Sequence, residues 1–380
     1  LTAEFTAGLY GHSNPVILDA LNNVLQNIGL SVGATTAQEQ LFASEICRRF
    51  GLERIRLTNS GTEANLHALQ AAKLFTGKNK VVAFGGGYHG AVLGFKEGGP
   101  AANNVDKDDW IIAAYNNLDS AVKAIQSEDV AAVILEGMQG SGGCIPGTAE
   151  FLQGIQEAAK KVRIIKRKTG TKTDKSQAGV IVILDEVMTS RLTSKGLAGI
   201  HGLQPDLKTF GKYLGGGIAF GAFGGRADIM AVYDPRAKNS VAHSGTFNNN
   251  TLVTHAGYAG LSKVYTPSIA DEFTEKGNKL LARLDDVTRG TKLCFTGMGS
   301  VMTSHFVSHG PREIQNVFDV KEIQELKDLF WFELLENGFW VTRRGFIALV
   351  LETPQSELDR FVEVVTEFLS KYKSLVQIEA

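Results

Sequence analysis

Apolar, β-branched runs recur at Val81–Phe84, Ala132–Leu135 and Val180–Leu184, and between them the apolar spacing turns helical, as over Thr62–Phe75 and Ala149–Lys160. Unbroken apolar strands are buried on both faces, so their alternation with helices predicts parallel strands joined by crossover helices, an α/β fold. Each run ends in polar or glycine-rich sequence: Gly85-Gly86-Gly87-Tyr88-His89, then Glu136, then Asp185-Glu186. Open α/β sheets bind ligands outside the carboxyl ends of their strands, so these three termini are expected to converge on one site. From about residue 265 the glycine-rich pattern gives way to amphipathic segments, Ile323–Asn337 and Ser356–Tyr372, with strand candidates at Ser300–Val307 and Phe346–Leu351. The expected organisation is an N-terminal segment over 1–37, a large domain over 38–264 and a smaller α+β domain over 265–380.

A chain of 380 residues that is 43% hydrophobic can bury a substantial core. Lys and Arg number 39 against 40 Asp and Glu, leaving no charge imbalance that would draw the chain to nucleic acid or a membrane surface; a small-molecule ligand is expected. Cys47, Cys144 and Cys294 are odd in number and far apart, without metal-type or disulfide spacing, which fits a reducing compartment. No apolar run reaches the length of a membrane span and residues 1–30 do not read as a signal peptide, so a cytoplasmic protein is expected. The opening at Leu1, directly on Thr-Ala-Glu-Phe-Thr-Ala-Gly, implies that upstream sequence is missing. Lys160–Lys175 carries eight basic residues with Asp174 as the sole acid, and reads as a solvated surface loop; contact with a polyanion is the alternative.

Four segments carry candidate chemistry. In Asn59-Ser60-Gly61-Thr62-Glu63, Ser60 and Glu63 have capping-box spacing ahead of a helical run. Free N–H groups, a positive dipole end, two hydroxyls and a glycine make that helix start a phosphate cradle, or else an ordinary cap. After Gly85-Gly86-Gly87, Tyr88 can project over a flat ligand, or it can pack in the core. Asp185 ends the apolar strand Ile181–Leu184, where an isolated charge is costly; a pyridinium nitrogen would offset it, with an N-cap or a metal ligand as the alternatives. Lys212 sits in the apolar, glycine-rich run Thr209-Phe210-Gly211-Lys212-Tyr213-Leu214-Gly215. Partial burial lowers an ammonium pKa and frees the amine for imine formation and proton transfer, although most lysines, Lys208 among them, are merely solvated.

Together these segments resemble the class III aminotransferases of the fold-type I pyridoxal-phosphate superfamily, in order and over nearly the whole chain. The resemblance implies a large domain with a mostly parallel seven-stranded sheet plus a smaller α+β domain, and pyridoxal 5'-phosphate as cofactor. It makes Lys212 the Schiff-base lysine, Asp185 the partner of the pyridine nitrogen, Tyr88 and Val187 the two sides of a sandwich around the ring, and Ser60, Gly61 and Thr62 the phosphate holders. His89 and Glu136, at the ends of their strands, join the expected cofactor site. In His243-Ser244-Gly245-Thr246-Phe247-Asn248, Thr246 would reach the phosphate of the neighbouring subunit, which implies a homodimer with shared sites.

Within that class, Ser141–Gly147, Asp185–Arg191, His243–Asn250 and Thr6–Pro15 look most like the aromatic β-amino acid (β-phenylalanine) aminotransferases. In that group an Arg-Gly-Phe arginine binds carboxylate, as Arg344-Gly345-Phe346 would here, with Arg343 where proline is usual. Neighbours in extended backbone face opposite ways, so one arginine of the pair is expected in the site, namely Arg344; the alternative is that both meet solvent or surface acids. The group's second carboxylate-binding arginine lies on a segment outside this chain, and the basic 160–175 stretch has no counterpart. Met188 and Gly221–Arg226 are also similar to glutamate-1-semialdehyde aminomutase. The expected activity is ping-pong transfer of an amino group between an amino acid and a keto acid, with an aminomutase or a non-catalytic protein of the same fold as the rivals.

Overall fold

The computed structural model describes residues 1–30, 32–169, 179–308 and 314–378, with the side chains of 163–169 outside that set. Its centre is a seven-stranded sheet built from β1 (Arg54–Thr58), β2 (Lys80–Phe84), β3 (Trp110–Ala113), β4 (Val130–Glu136), β5 (Ile181–Asp185), β6 (Leu207–Gly211) and β7 (Gly221–Gly225), in the order β1-β7-β6-β5-β4-β2-β3. Strands β6, β5, β4, β2 and β3 pair in parallel, while β7 runs antiparallel to both β1 and β6. All seven residues of β4 and all five of β5 are buried, as their unbroken apolar runs require.

Helices Gly61–Thr76 and Ala149–Thr169 follow the sequence pattern, with one difference. Residues 160–169 of the basic stretch, expected as a loop, continue the helix. Beyond Lys160 no glycine or proline occurs before Gly170, and Lys and Arg are good helix formers. Residues 170–175 of that stretch lie outside the described residues. In the C-terminal part, helices Pro267–Thr288, Gln324–Glu336 and Gln355–Lys371 pack with a three-stranded antiparallel sheet, β8 (Leu293–Met298), β9 (Val301–Phe306) and β10 (Phe346–Ala348). The strand expected over Phe346–Leu351 ends at Ala348, where the backbone begins to divide its partners: Ala348 N donates to Leu1 O and Leu351 N to Leu9 O, in the N-terminal segment, while Leu349 N donates to Ser300 O. Among the described residues no helix is long and apolar enough to cross a membrane.

Three of the five residues of strand β7 are glycine, for a steric reason. A Cβ on Gly221 would lie 2.0 Å from Ser60 O, one on Gly224 2.2 Å from Arg54 O, and one on Gly225 2.1 Å from Asp206 O. The missing side chains let β7 close against β1, the segment before β6 and the start of helix Gly61–Thr76. Gly221→Ala should therefore cost about 1–3 kcal/mol in urea unfolding, because the clash is with backbone that cannot swing aside. Gly33→Ala, where nothing lies within 4 Å, should stay within about 0.5 kcal/mol of the parent protein.

Candidate active site

The carboxyl ends of β2, β4, β5 and β6 open onto one cavity of about 700 Å³, lined also by Ser60, Gly61 and Thr62 from the start of helix Gly61–Thr76. Every site residue expected from the sequence except Thr246 lines it: Ser60, Gly61, Thr62, Tyr88, His89, Glu136, Asp185, Val187, Lys212 and Arg344. Thr246 is exposed and outside this cavity. Two residues on, Asn248 Oδ1 accepts a hydrogen bond from Asn59 Nδ2 at 2.9 Å, tying the Thr246 segment to the helix start.

At that start Ser60 Oγ accepts from Glu63 N at 3.1 Å, while Glu63 Oε2 accepts from Asn59 N at 2.8 Å. The return bond thus goes to the residue before the N-cap, one place off the capping box that the spacing suggests. First-turn amides have no intrahelical partner, so the backbone of Gly61 and Thr62 presents N–H groups where the cavity begins.

Asp185 ends β5 with its carboxylate buried and fully engaged. Its Oδ2 accepts from Asn65 Nδ2 and pairs with His89 Nδ1, both at 2.8 Å, and its Oδ1 accepts from Val187 N at 3.0 Å. Asn65 is held in turn, because its Oδ1 accepts from the Thr209 hydroxyl at 2.7 Å. His89, expected in the cofactor site, lines the cavity, and its Nδ1 faces Asp185, so it also supports that carboxylate. Asn65 and Thr209 were not among the residues singled out from sequence. The available signal was Asn65 itself, a polar residue on the apolar stripe of Ala64, Ala68, Leu69 and Ala72.

Glu136 lies beside Asp185 in the parallel register. Its Oε1 accepts from Tyr88 N and its Oε2 from Gly140 N, each at 2.9 Å, so this carboxylate shapes the loops on either side of the cavity. Burial pushes the Glu136 carboxyl up to about 7, against the opposing influence of His89 and the two N–H groups. Lys212 follows extended Gly211 and itself has φ +56°, a left-handed conformation rare for a side-chain-bearing residue. Burial lowers the Lys212 ammonium pKa, Asp185 and Glu136 oppose that shift, and Arg344 adds to it.

The two adjacent arginines part ways. Arg343 makes a forked pair with Asp328, at 2.9 and 2.6 Å, on the outside. Arg344 lines the cavity with its guanidinium 5.0 Å from the ring centre of Phe5 and 5.5 Å from that of Phe346. The backbone there is a turn, closed by Gly345 N to Thr342 O at 2.8 Å with Gly345 at φ +83°, so a turn separates the two side chains where an extended strand was expected to.

With this geometry in view, the comparisons with known proteins agree. The Aminotransferase class-III family profile matches residues 1–95 and 100–350. This chain belongs to the class-III aminotransferases. An uncharacterized aminotransferase of Schizosaccharomyces pombe is 46% identical over 99% of this chain and 82% of its own length. A β-phenylalanine transaminase of Variovorax paradoxus is 43% identical over 98% of this chain and 82% of its own. The crystal structure of a β-phenylalanine aminotransferase from the same organism superposes with a TM-score of 0.91, covering all of this chain and 84% of that one. A glutamate-1-semialdehyde 2,1-aminomutase of Caldicellulosiruptor bescii is 34% identical over 96% of this chain and 84% of its own.

Class-III aminotransferases use pyridoxal phosphate, and the cavity has the donor set for it. A helix start with flanking hydroxyls suits a phosphate, a secured carboxylate suits a ring nitrogen, the half-exposed Tyr88 ring and Val187 line the same cavity, and Lys212 brings a desolvated amine.

The raised Glu136 value makes a pH prediction for the cofactor-free protein. The folded pKa of about 7 exceeds the ordinary 4.5, so the fold favours the neutral acid; that stability is full below about 4.5 and lost as pH rises through about 7. Glu136→Gln mimics the neutral acid and should gain on the wild type over that window by up to about 3 kcal/mol in urea unfolding. A stability difference independent of pH would rule the assignment out.

Proposed function

We propose that this enzyme moves the amino group of an aromatic β-amino acid to a keto acid, in two half-reactions that share the cavity. The observation that carries the reading is the convergence of Lys212, Asp185 and Arg344 on one cavity. The 43% identity to a β-phenylalanine transaminase supports the substrate class. When bound, pyridoxal phosphate supplies a carbonyl that condenses with amines and a ring that accepts electrons while its nitrogen stays protonated.

In this reading each protein group has a distinct task. The Lys212 amine anchors the cofactor and then, once displaced, carries the proton removed from the amine-bearing carbon of the substrate. Asp185, oriented by Asn65 and His89, keeps the ring nitrogen protonated. Ser60, Gly61 and Thr62 hold the phosphate, and Tyr88 and Val187 confine the ring. Arg344 receives the substrate carboxylate through paired charge-assisted hydrogen bonds, with the Phe5 and Phe346 rings holding its guanidinium. We assign Thr246 to the phosphate of a neighbouring subunit, hence a homodimer, and the cytosol as the compartment. Its three cysteines are free, as a reducing environment favours.

The test is the visible absorption of the cofactor-loaded protein, followed as α- and β-amino acids are added singly. Aromatic β-amino acids should consume the band, with return only on adding a keto acid. Consumption by α-amino acids alone would overturn the substrate class, and turnover of one substrate with no separate acceptor would favour the aminomutase reading. Lys212→Ala should abolish turnover. Arg344→Ala should raise KM roughly 10- to 100-fold, the equivalent of about 1.5–3 kcal/mol for a charged hydrogen-bonded contact, with a smaller effect on kcat.

A further inference from the structure

Strand β9 buries all six of its residues, yet Thr303, Ser304 and His305 among them are polar. Buried polar groups need partners, and those of His305 lead to the cavity. Alternation along the paired strands puts Cys294 and Thr296 of β8 on the same face as Thr303 and His305 of β9, with Thr296 diagonal to His305. The Thr296 hydroxyl donates to Gly143 O at 2.5 Å, and His305 Nε2 lies 2.9 Å from that hydroxyl and 3.2 Å from Gly143 O. Thr296 has one proton, directed at Gly143 O, so His305 Nε2 is the donor to both oxygens. Across the ring, Nδ1 is 3.4 Å from Glu322 Oε2, which also accepts from Lys327 Nζ at 2.5 Å, while Glu322 Oε1 accepts from Phe306 N at 2.5 Å. Burial alone would raise the Glu322 carboxyl; the bonds from His305, Lys327 and Phe306 N outweigh it and hold the group below its ordinary value. An ionised carboxylate therefore stands behind the imidazole and fixes its orientation.

Gly143 belongs to a turn whose residues Gly140 and Ser141 line the cavity. Gly143 N and Cys144 N both donate to Gly140 O at 3.3 Å, with φ +112° at Gly143 and +53° at Cys144. A Cβ on Gly143 would lie 2.8 Å from His305 Cε1, so the turn meets the imidazole at a distance that glycine alone allows. At its other end Gly140 N donates to Glu136, so the turn is gripped by a carboxylate of the large sheet and by an imidazole of the small one. Strand β9 also holds the arginine. Ser304 N donates to Gly345 O at 3.0 Å, and Thr303 pairs with Phe346, the two residues that follow Arg344. Neighbouring positions of one strand thus anchor two parts of the cavity wall, Arg344 through Thr303 and Ser304, and the Ser141 turn through His305.

We propose that His305 is a positioning residue for the substrate: itself outside the cavity, it holds the wall made by Gly140 and Ser141 at a set distance from Arg344, and so decides how a substrate gripped by its carboxylate lies across the site. The inference rests on the assignment of Arg344 to the substrate carboxylate. Loosening this wall leaves the cofactor groups in place, because Ser60, Asp185 and Lys212 are carried by other elements. What it changes is the fit of the substrate, since a displacement of about 1 Å in a contacting wall is enough to alter binding and orientation.

Steady-state kinetics of the cofactor-loaded enzyme, with an amino substrate that the wild type turns over, decide the matter. His305→Leu removes the hydrogen bond to Gly143 O at similar volume and should raise KM for the amino substrate about 3- to 10-fold, with kcat changed less and the cofactor titration, followed by absorption, unchanged. His305→Gln, whose amide reaches the place of Nε2, should recover most of the loss. In an Arg344→Ala background the His305→Leu effect on KM should fall by at least half, because the two groups act on one substrate. Should His305→Leu not fold, Thr296→Val, which removes the other hydrogen bond to Gly143 O, carries the same expectations. Cofactor binding that weakens in step with KM, no recovery in His305→Gln, or equal effects in the two backgrounds would each overturn the proposal. A KM raised by Arg344→Ala but not by His305→Leu would remove this inference alone, whereas a KM untouched by Arg344→Ala would remove the carboxylate assignment and this inference with it.

Discussion

A carboxylate at the end of a fully buried strand must be compensated, and much of the arrangement around Asp185 follows from that need. Its negative charge sits where β5 leaves the apolar interior, and Asn65, His89 and Val187 N supply three hydrogen bonds to it. Those partners come from a helix, from the loop after β2 and from the strand's own continuation, so satisfying one charge fixes the relative positions of three segments. Thr209 on β6 extends the chain of bonds to the strand that ends at Lys212. The cofactor's ring nitrogen would complete a set of partners already in place.

Glu136 adds a second constraint of the same type. Two carboxylates in adjacent parallel strands, paired in register, would repel each other if both faced a closed interior. They differ in environment. Asp185 meets the side-chain amide of Asn65 and the imidazole of His89, whereas Glu136 is capped by backbone N–H groups and its burial favours the neutral acid.

The strands with unbroken apolar sequence were legible to within a residue or two, because burial on both faces leaves no other pattern. Helices announced by caps and 3.6-residue spacing were legible too. Strand β7 was not read as a strand, since glycine has no strand preference and the reason for it, close approach of neighbouring backbone, exists only in three dimensions. The residues that bear chemistry were legible for a related reason: a lysine or aspartate among apolar neighbours stands out. Their supports were less so, because Asn65 and Thr209 are ordinary polar residues until the fold brings them to Asp185. The Arg343 and Arg344 pair shows a further limit, since the two side chains diverge through a turn at Gly345 where extended backbone was expected.

Lys212 is aimed by its backbone. A left-handed residue is held by the closed structure around it, here extended Gly211 on one side and buried Tyr213 on the other, and not by contacts of its own long side chain. The result is a rigid pivot carrying a free arm. In the proposed reaction the four methylenes would swing the amine away and bring it back while the main chain stays still, so the same atom would serve as tether and as proton carrier without any reshaping of the sheet beneath it.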